Sequence, residues 1–296
     1  MPDQGYADLY VTASDGLRLY ARDYGPRDSA LVPVVCLPGL SRHSEDFHAL
    51  ALRLSRERWV LALDYRGRGR SGHDPDWRNY SVPVELGDVL QVLIVAGIEQ
   101  AIFVGTSRGG IITMALSAAR QAAIRAVVLN DIGPVVEAAG LSRIRGYVGK
   151  LPAPRNEAEG AALLRNLFGA HFPRTSDDEW RAYARGTWRE VDGKLVTTSD
   201  PALQKTLEDL DLDAPIPPLW HLFEGLKDVP VLLLRGEHSD LLSAETAQAM
   251  GAAHPNLESM IVPDQGHAPL LQDEETIERI AAFVTRHGAS REPVPA

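Results

Sequence analysis

The chain has 296 residues, 45% hydrophobic and 24% charged, which suits one folded α/β core with an inserted lid and excludes wholesale disorder. Its formal net charge is −10 and no Lys/Arg-rich stripe occurs, so a nucleic-acid backbone is excluded as a partner. No apolar run approaches the ~20 residues of a membrane-spanning helix, and the opening residues carry no basic stretch followed by an apolar one, so the expectation is a cytoplasmic protein.

In chain order, alternation in Leu9 to Thr12 and Leu17 to Ala21, with Ser14-Asp15-Gly16 between, predicts a hairpin. Short, wholly apolar runs follow at Val32 to Leu37, Trp59 to Leu63, Ala101 to Val104, Arg125 to Leu129 and Val229 to Leu234, and a weaker one at Ser259 to Val262. Runs of this kind are strands covered on both faces. Between them, apolar residues near the 3.6 spacing predict helices over Glu45 to Arg56, Val84 to Val95, Arg108 to Arg120, Glu245 to Ala252 and Glu274 to His287. Strand and helix alternate, which predicts a mostly parallel sheet flanked by helices.

The alternation breaks between about Pro134 and Pro218, where helix-like pieces rich in Arg, Glu and aromatics carry no convincing buried strand. The predicted organisation is therefore a core over 1–133, a helical lid over 134–218, the rest of the core over 219–290 and a loose tail over 291–296. Cys36, the single cysteine, sits inside an apolar run and reads as a small buried side chain rather than a nucleophile.

The segment richest in chemistry is Gly105-Thr-Ser107-Arg-Gly109, between an apolar strand and an amphipathic helix. A sharp strand-to-helix turn needs small residues around it, and it lifts a serine hydroxyl clear of the sheet at a helix N-terminus, where the dipole favours a developing anion. A serine needs a base, and among nine histidines His267, in Gly266-His-Ala-Pro269 between a short strand and the last helix, is the one on a suitable loop. The other eight read as solvated or satisfied side chains.

A carboxylate must then orient that base. Asp240 is the first choice, because the strand Val229 to Leu234 delivers it to the elbow's edge of the sheet. Asp131, after the strand ending at Leu129, is the alternative, and Glu237 a third. The backbone N–H groups of Leu40, on the Gly39 loop, and of Arg108, after the nucleophile, are placed to hold an oxyanion. That leaves the Arg108 guanidinium to pack on the sheet edge or pair with a carboxylate such as Asp131.

Gly67-Arg-Gly-Arg-Ser-Gly72 matches G-x-G-x-x-G, but no helix begins directly after it to hold a pyrophosphate, so a dinucleotide site is rejected. No P-loop, H-E-x-x-H or other metal-ligand spacing occurs.

Five segments in order, Leu37-Pro-Gly-Leu40, Asp64-Tyr-Arg-Gly-Arg-Gly-Arg-Ser71, Gly105-Thr-Ser-Arg-Gly109, Arg235-Gly-Glu-His-Ser-Asp240 and Gly266-His-Ala-Pro269, make the chain resemble a lid-bearing member of the α/β-hydrolase fold superfamily. Pro38 stands where many members carry a histidine before the oxyanion-loop glycine. Ser107, in place of an Asp nucleophile, argues against dehalogenase or epoxide-hydrolase chemistry. The resemblance implies hydrolysis of a carboxylic ester or lactone, a small-molecule acyl substrate, through an acyl-enzyme on Ser107 with no cofactor. Its alternatives are carbon–carbon cleavage of a vinylogous diketone, perhydrolysis, and a slow-turnover ligand receptor that keeps the triad. Of the lid residues Phe168, His171, Phe172, Trp180, Tyr183 and Trp188, some are expected to line an apolar pocket and more than half to pack lid against core.

Overall fold

A computed structural model describes residues 4–208, 210–212, 214 and 216–289. The tail expected over 291–296 lies outside the described residues. The strands are β1 (Ala7–Thr12), β2 (Arg18–Tyr24), β3 (Val34–Leu37), β4 (Val60–Asp64), β5 (Ala101–Thr106), β6 (Ile124–Asn130), β7 (Trp188–Val191), β8 (Lys194–Thr197), β9 (Val231–Gly236) and β10 (Leu257–Val262). The helices are α1 (His48–Leu54), α2 (Val82–Ala96), α3 (Arg108–Arg120), α4 (Ala138–Tyr147), α5 (Glu157–Phe168), α6 (Asp177–Thr187), α7 (Lys205–Glu208), α8 (Trp220–Glu224), α9 (Ala244–Ala253) and α10 (Glu274–His287).

Eight strands form one sheet in the order β1-β2-β4-β3-β5-β6-β9-β10. β1 and β2 pair antiparallel, β2 joins β4 antiparallel, and every later pairing in the sheet is parallel. This is an α/β-hydrolase architecture, a mostly parallel sheet flanked by helices.

The apolar runs are strands because both of their faces are covered. Val35, Leu37, Leu61, Phe103, Val127 and Leu233 point into one apolar cluster with α2 and α3. Their chain neighbours Val34, Cys36, Val60, Ile102, Val128 and Leu232 point into the other, with α1 and α10. That is the period-two alternation of a strand written in apolar residues on both sides. β10 is the sheet's edge, and only Val262 in it is buried, which accounts for its weaker signal. Burial in this core pushes the Cys36 thiol well above its ordinary pKa, in keeping with a packing residue.

Several boundaries differ from the sequence reading by a few residues, and two of the differences have a visible cause. The segment expected as one helix from Glu45 splits into a 3₁₀ turn at Ser44–Phe47 and the helix α1. α2 begins at Val82 with Pro83 in its first turn, where a missing N–H costs nothing, and it stops at Gly97, whose φ of 70° ends the helix.

Between β6 and β9 the chain leaves the sheet. The 134–218 stretch holds α4 to α7 and also the antiparallel β7–β8 hairpin, which the purely helical expectation lacked. β7 is exposed after Trp188, and β8 has no buried residue, so neither carries the apolar run that marks a core strand. Phe168, Phe172, Trp180 and Trp188 bind α5, α6 and β7 into a third apolar cluster. The insertion is pinned to the sheet's loops by Arg42 Nη1 donating to Thr187 Oγ1 (2.9 Å), by His43 Nε2 against Gly186 O (2.6 Å) and by Arg189 Nη1 donating to Gly69 O (3.0 Å). Among the described residues no helix is long and apolar enough to cross a membrane.

Candidate active site

Ser107 lies at the turn from β5 into α3 with φ 51° and ψ −113°, a left-handed conformation that costs a non-glycine residue roughly 1–3 kcal/mol. The turn survives because the glycines around it admit backbone where a side chain would not fit. A Cβ on Gly105 would meet the carbonyl carbon of Gly109 at 2.7 Å, and one on Gly109 would meet the carbonyl oxygen of Leu37 at 2.0 Å. Gly109→Ala is therefore expected to destabilise the fold by about 3 kcal/mol, the upper range for overpacking, because the obstructing atom is backbone and cannot swing away. Urea unfolding of the variant measures this.

His267, on the loop between β10 and α10, is 9% exposed, and its Nε2 lies 2.8 Å from Ser107 Oγ. Its Nδ1 lies 2.8 Å from Oδ2 of Asp131. Asp131 is fully buried at the end of β6. Its Oδ1 accepts the Gly236 N–H (2.8 Å), and its Oδ2 also accepts the Ser239 hydroxyl (2.6 Å). The Asp131 carboxylate accepts a hydrogen bond from the Nδ1–H, which leaves Nε2 free to accept the proton of Ser107. Such a chain can draw off the serine proton as Oγ attacks a carbonyl carbon.

The carboxylate against His267 is therefore Asp131 and not Asp240, the first choice of the sequence reading. β6 and β9 are hydrogen-bonded neighbours, with Asn130 paired to Leu234, so the end of either strand reaches the same edge. From there the chain beyond β9 turns toward the insertion, and Asp240 accepts two hydrogen bonds from Arg143 of α4, at 2.6 and 2.7 Å. Burial opposes ionisation of the Asp240 carboxyl, but the hydrogen bonds and charge of Arg143 outweigh it and hold its pKa below the ordinary carboxylate range. The backbone of the same turn caps the contact, since Gly140 N donates to Asp240 O (3.0 Å). Asp240 anchors α4. Glu237, the third candidate, accepts the Asp264 N–H at the surface.

Leu40, Ser107 and Arg108 line one cavity. The Arg108 guanidinium reaches Glu85 rather than Asp131, with Nε donating at 2.8 Å. Asn130, which the sequence reading passed over, is fully buried and donates to Thr106 Oγ1 (3.1 Å) and to Pro269 O (2.9 Å), tying the elbow strand to the His267 loop. A buried Asn at the end of an apolar strand was its signal, because such a group must find partners.

Two chambers meet at Ser107. One, about 520 Å³, runs beneath α4 and is walled by apolar side chains including Ile111, Ile132, Val136 and Leu141. The other, about 100 Å³, contains His267 on its wall together with Arg42, Tyr147, Tyr183, Thr187 and Phe168. Of the six lid residues singled out from sequence, Phe168 and Tyr183 line this chamber. Phe172 and Trp180 pack edge to face on each other and border only a void of about 20 Å³. His171 and Trp188 line none of these spaces. His171 sits on the His238 carbonyl (3.3 Å), and Trp188 fills the space beside Gly160 under α5. Aromatic composition does not distinguish wall from packing, and Ile144 and Tyr147 of α4, which also line the smaller chamber, were not singled out.

The Gly67 to Gly72 loop is wrapped around a carboxylate of its own. Asp64 accepts the Ser44 and Arg70 N–H groups at 2.7 and 2.8 Å, and a Cβ on Gly69 would meet its Oδ2 at 2.0 Å.

A family model described as the alpha/beta hydrolase family matches residues 34–279. The 3-hydroxybutyrate-oligomer hydrolase of Cupriavidus necator is 33% identical over 260 residues, covering 85% of this chain and 88% of that protein. The 2-(acetamidomethylene)succinate hydrolase of Mesorhizobium japonicum is 27% identical over 250 residues, covering 83% and 85%. The crystal structure of an alpha/beta hydrolase from Novosphingobium aromaticivorans superposes with a TM-score of 0.87 at 39% identity, covering 95% of this chain and 99% of that one. With the elbow, the sheet order and these likenesses in agreement, the chain belongs to the alpha/beta hydrolase family.

Proposed function

We propose that the protein is a serine hydrolase that cleaves a carboxylic ester through an acyl-enzyme on Ser107, with His267 as base and Asp131 as its orienting carboxylate. The observation that carries this reading is the unbroken hydrogen-bonded chain from Ser107 Oγ through His267 to Asp131, at 2.8 Å for each step, open to two chambers. Ser107 attacks the carbonyl as His267 takes its proton, and the N–H groups of Leu40 and Arg108 hold the oxyanion. His267 then returns the proton to the leaving alcohol, and a water activated by the same imidazole releases the acid.

Proton return sets the direction of the substrate. The leaving alcohol must sit on the side where His267 forms the wall, which is the smaller and less apolar chamber, and the acyl group then occupies the large apolar chamber under α4. In the smaller chamber the charge of Arg42 is already matched by Asp46, whose carboxylate accepts from Nε at 2.8 Å. The chamber therefore offers hydrogen bonds more than net charge. A short oligoester of a hydroxy acid suits both sides, and the likeness to the Cupriavidus necator enzyme supports that substrate class. Residues 134–218 serve in this reading as the lid over a core formed by 1–133 and 219–290.

The test is a panel of p-nitrophenyl esters from acetyl to decanoyl, a hydroxybutyrate dimer and a vinylogous diketone. Turnover of the esters and the dimer is expected; turnover of the diketone alone, or of nothing, would overturn the reading. Leu141→Trp, which intrudes on the apolar chamber, is expected to raise KM for decanoyl over acetyl esters by about tenfold, since each excluded methylene forfeits ~0.8 kcal/mol of burial. Equal changes for both acyl lengths would mean that the acyl group lies elsewhere.

A further inference from the structure

Glu85 has no place in the proton relay, yet it is among the most enclosed charges in the protein. It lies in the first turn of α2 with a side chain that is fully buried, between two arginines. Its Oε1 is 2.7 Å from Arg68 Nη1, and its Oε2 accepts from Arg108 Nε at 2.8 Å. Arg68 is itself fully buried beside the rings of Tyr65 and Tyr80, and its Nε donates to the carbonyl oxygen of Leu40 at 2.7 Å. A second donor, Nη1, holds the carbonyl of Arg66 at 2.6 Å. Arg108 Nη2 donates to the Tyr80 carbonyl at 3.2 Å.

The two arms of this bridge end on Leu40 and Arg108, the residues whose N–H groups face the oxyanion. One arm holds the Leu40 carbonyl, one bond beyond the α-carbon that carries the Leu40 N–H. The other holds the side chain at the first position of α3. Leu40 lies on the loop after β3 and Arg108 opens α3, far apart in sequence, and an oxyanion hole works only when its donors are preset to the spacing of the anion rather than reorganising as charge develops. A buried carboxylate with an arginine against each oxygen is a stiff spacer: the Arg68 pair is wholly enclosed, and the Arg108 arm is a charge-assisted hydrogen bond.

We propose that Glu85 is a positioning residue that holds the two oxyanion donors, on Leu40 and Arg108, at their working separation through Arg68 and Arg108. The proposal rests on the reading of Ser107 as an acylating nucleophile. Glutamine keeps the size of Glu85 but turns one oxygen into a donor facing an arginine, so one arm must let go.

The experiment compares wild type with Glu85→Gln in steady-state ester hydrolysis, in binding of a phenylboronic acid that forms a tetrahedral adduct on Ser107, and in binding of the planar carboxylic-acid product. For Glu85→Gln the expected result is a fall in kcat of about 10- to 100-fold, less than for outright removal of an oxyanion donor. KM should stay within about threefold, and boronate affinity should fall in step with kcat/KM while product affinity stays unchanged. A merely structural role would weaken boronate and product alike, and that outcome, or a folded variant with kcat within twofold of wild type, overturns the proposal. If Glu85→Gln does not fold, Arg108→Gln carries the test: it cuts one arm near the surface, and unaltered kcat and boronate affinity would overturn the proposal. Wild type that neither hydrolyses esters nor binds the boronate overturns the esterase reading and this inference together. Wild type that does both while Glu85→Gln matches it removes this inference alone.

Discussion

Asp131→Asn is expected to lower kcat for ester hydrolysis by about 10⁴-fold, while Asp240→Asn leaves it within about tenfold. The difference follows from where each carboxylate points. Asp131 Oδ2 meets His267 Nδ1 at 2.8 Å, and an amide there presents a donor or a neutral oxygen, so the imidazole is left in the wrong tautomer for Nε2 to accept from Ser107. With the amide oxygen in the Oδ1 position the Gly236 N–H keeps its acceptor, and the Ser239 hydroxyl turns to accept from the amide NH2, so the fold is retained and the loss falls on chemistry. Asp240 instead pairs with Arg143, and its loss loosens α4, one wall of the apolar chamber. For Asp240→Asn the change should show in KM for long acyl chains. Steady-state kinetics of both variants on p-nitrophenyl butyrate separates the two roles, and the reverse ranking would return Asp240 to the relay.

Ser107→Ala carries the largest effect, a fall in kcat of about 10⁶-fold, because without the hydroxyl no acyl-enzyme forms and His267 has nothing to activate but water. The residual rate should still exceed that of the uncatalysed reaction by about 10³-fold, from binding and oxyanion stabilisation alone. A fluorophosphonate should add its mass to wild type at Ser107 and to no residue of the alanine variant. Labelling that persists in Ser107→Ala would place the nucleophile elsewhere. Removing the side chain should not harm the fold, since alanine leaves the glycine-lined turn unobstructed.

The chemistry of the site was legible where it depends on neighbours in the chain. Ser107 was read because the elbow needs Gly105 and Gly109 within two residues of it and an apolar strand before it, all of which are local requirements. His267 was read because Gly266-His-Ala-Pro269 sets it on the loop between the last strand and the last helix. The sheet was legible because strands buried on both faces are apolar at every position, and the helices between them keep their own period. The rejected dinucleotide site shows the converse, since the glycines of Gly67 to Gly72 match a motif yet close around Asp64.

What the order of residues determined by itself is therefore the core architecture and the residues proposed as nucleophile and base, since each is specified by patterns a few residues long. The β7–β8 hairpin escaped notice because it is exposed and lacks an apolar run. Only the tertiary structure decided which carboxylate meets His267, which side chains wall the chambers, and that Glu85 lies between Arg68 and Arg108. Parallel neighbouring strands bring Asn130 and Leu234 side by side, so two carboxylates 109 positions apart in number compete for one imidazole, and the loser is settled by Arg143 arriving from the insertion. Likewise Glu85, Arg68 and Arg108 meet through packing of α2, the loop after β4 and the start of α3, a juxtaposition with no trace in spacing because it depends on how separate elements stack rather than on any one of them.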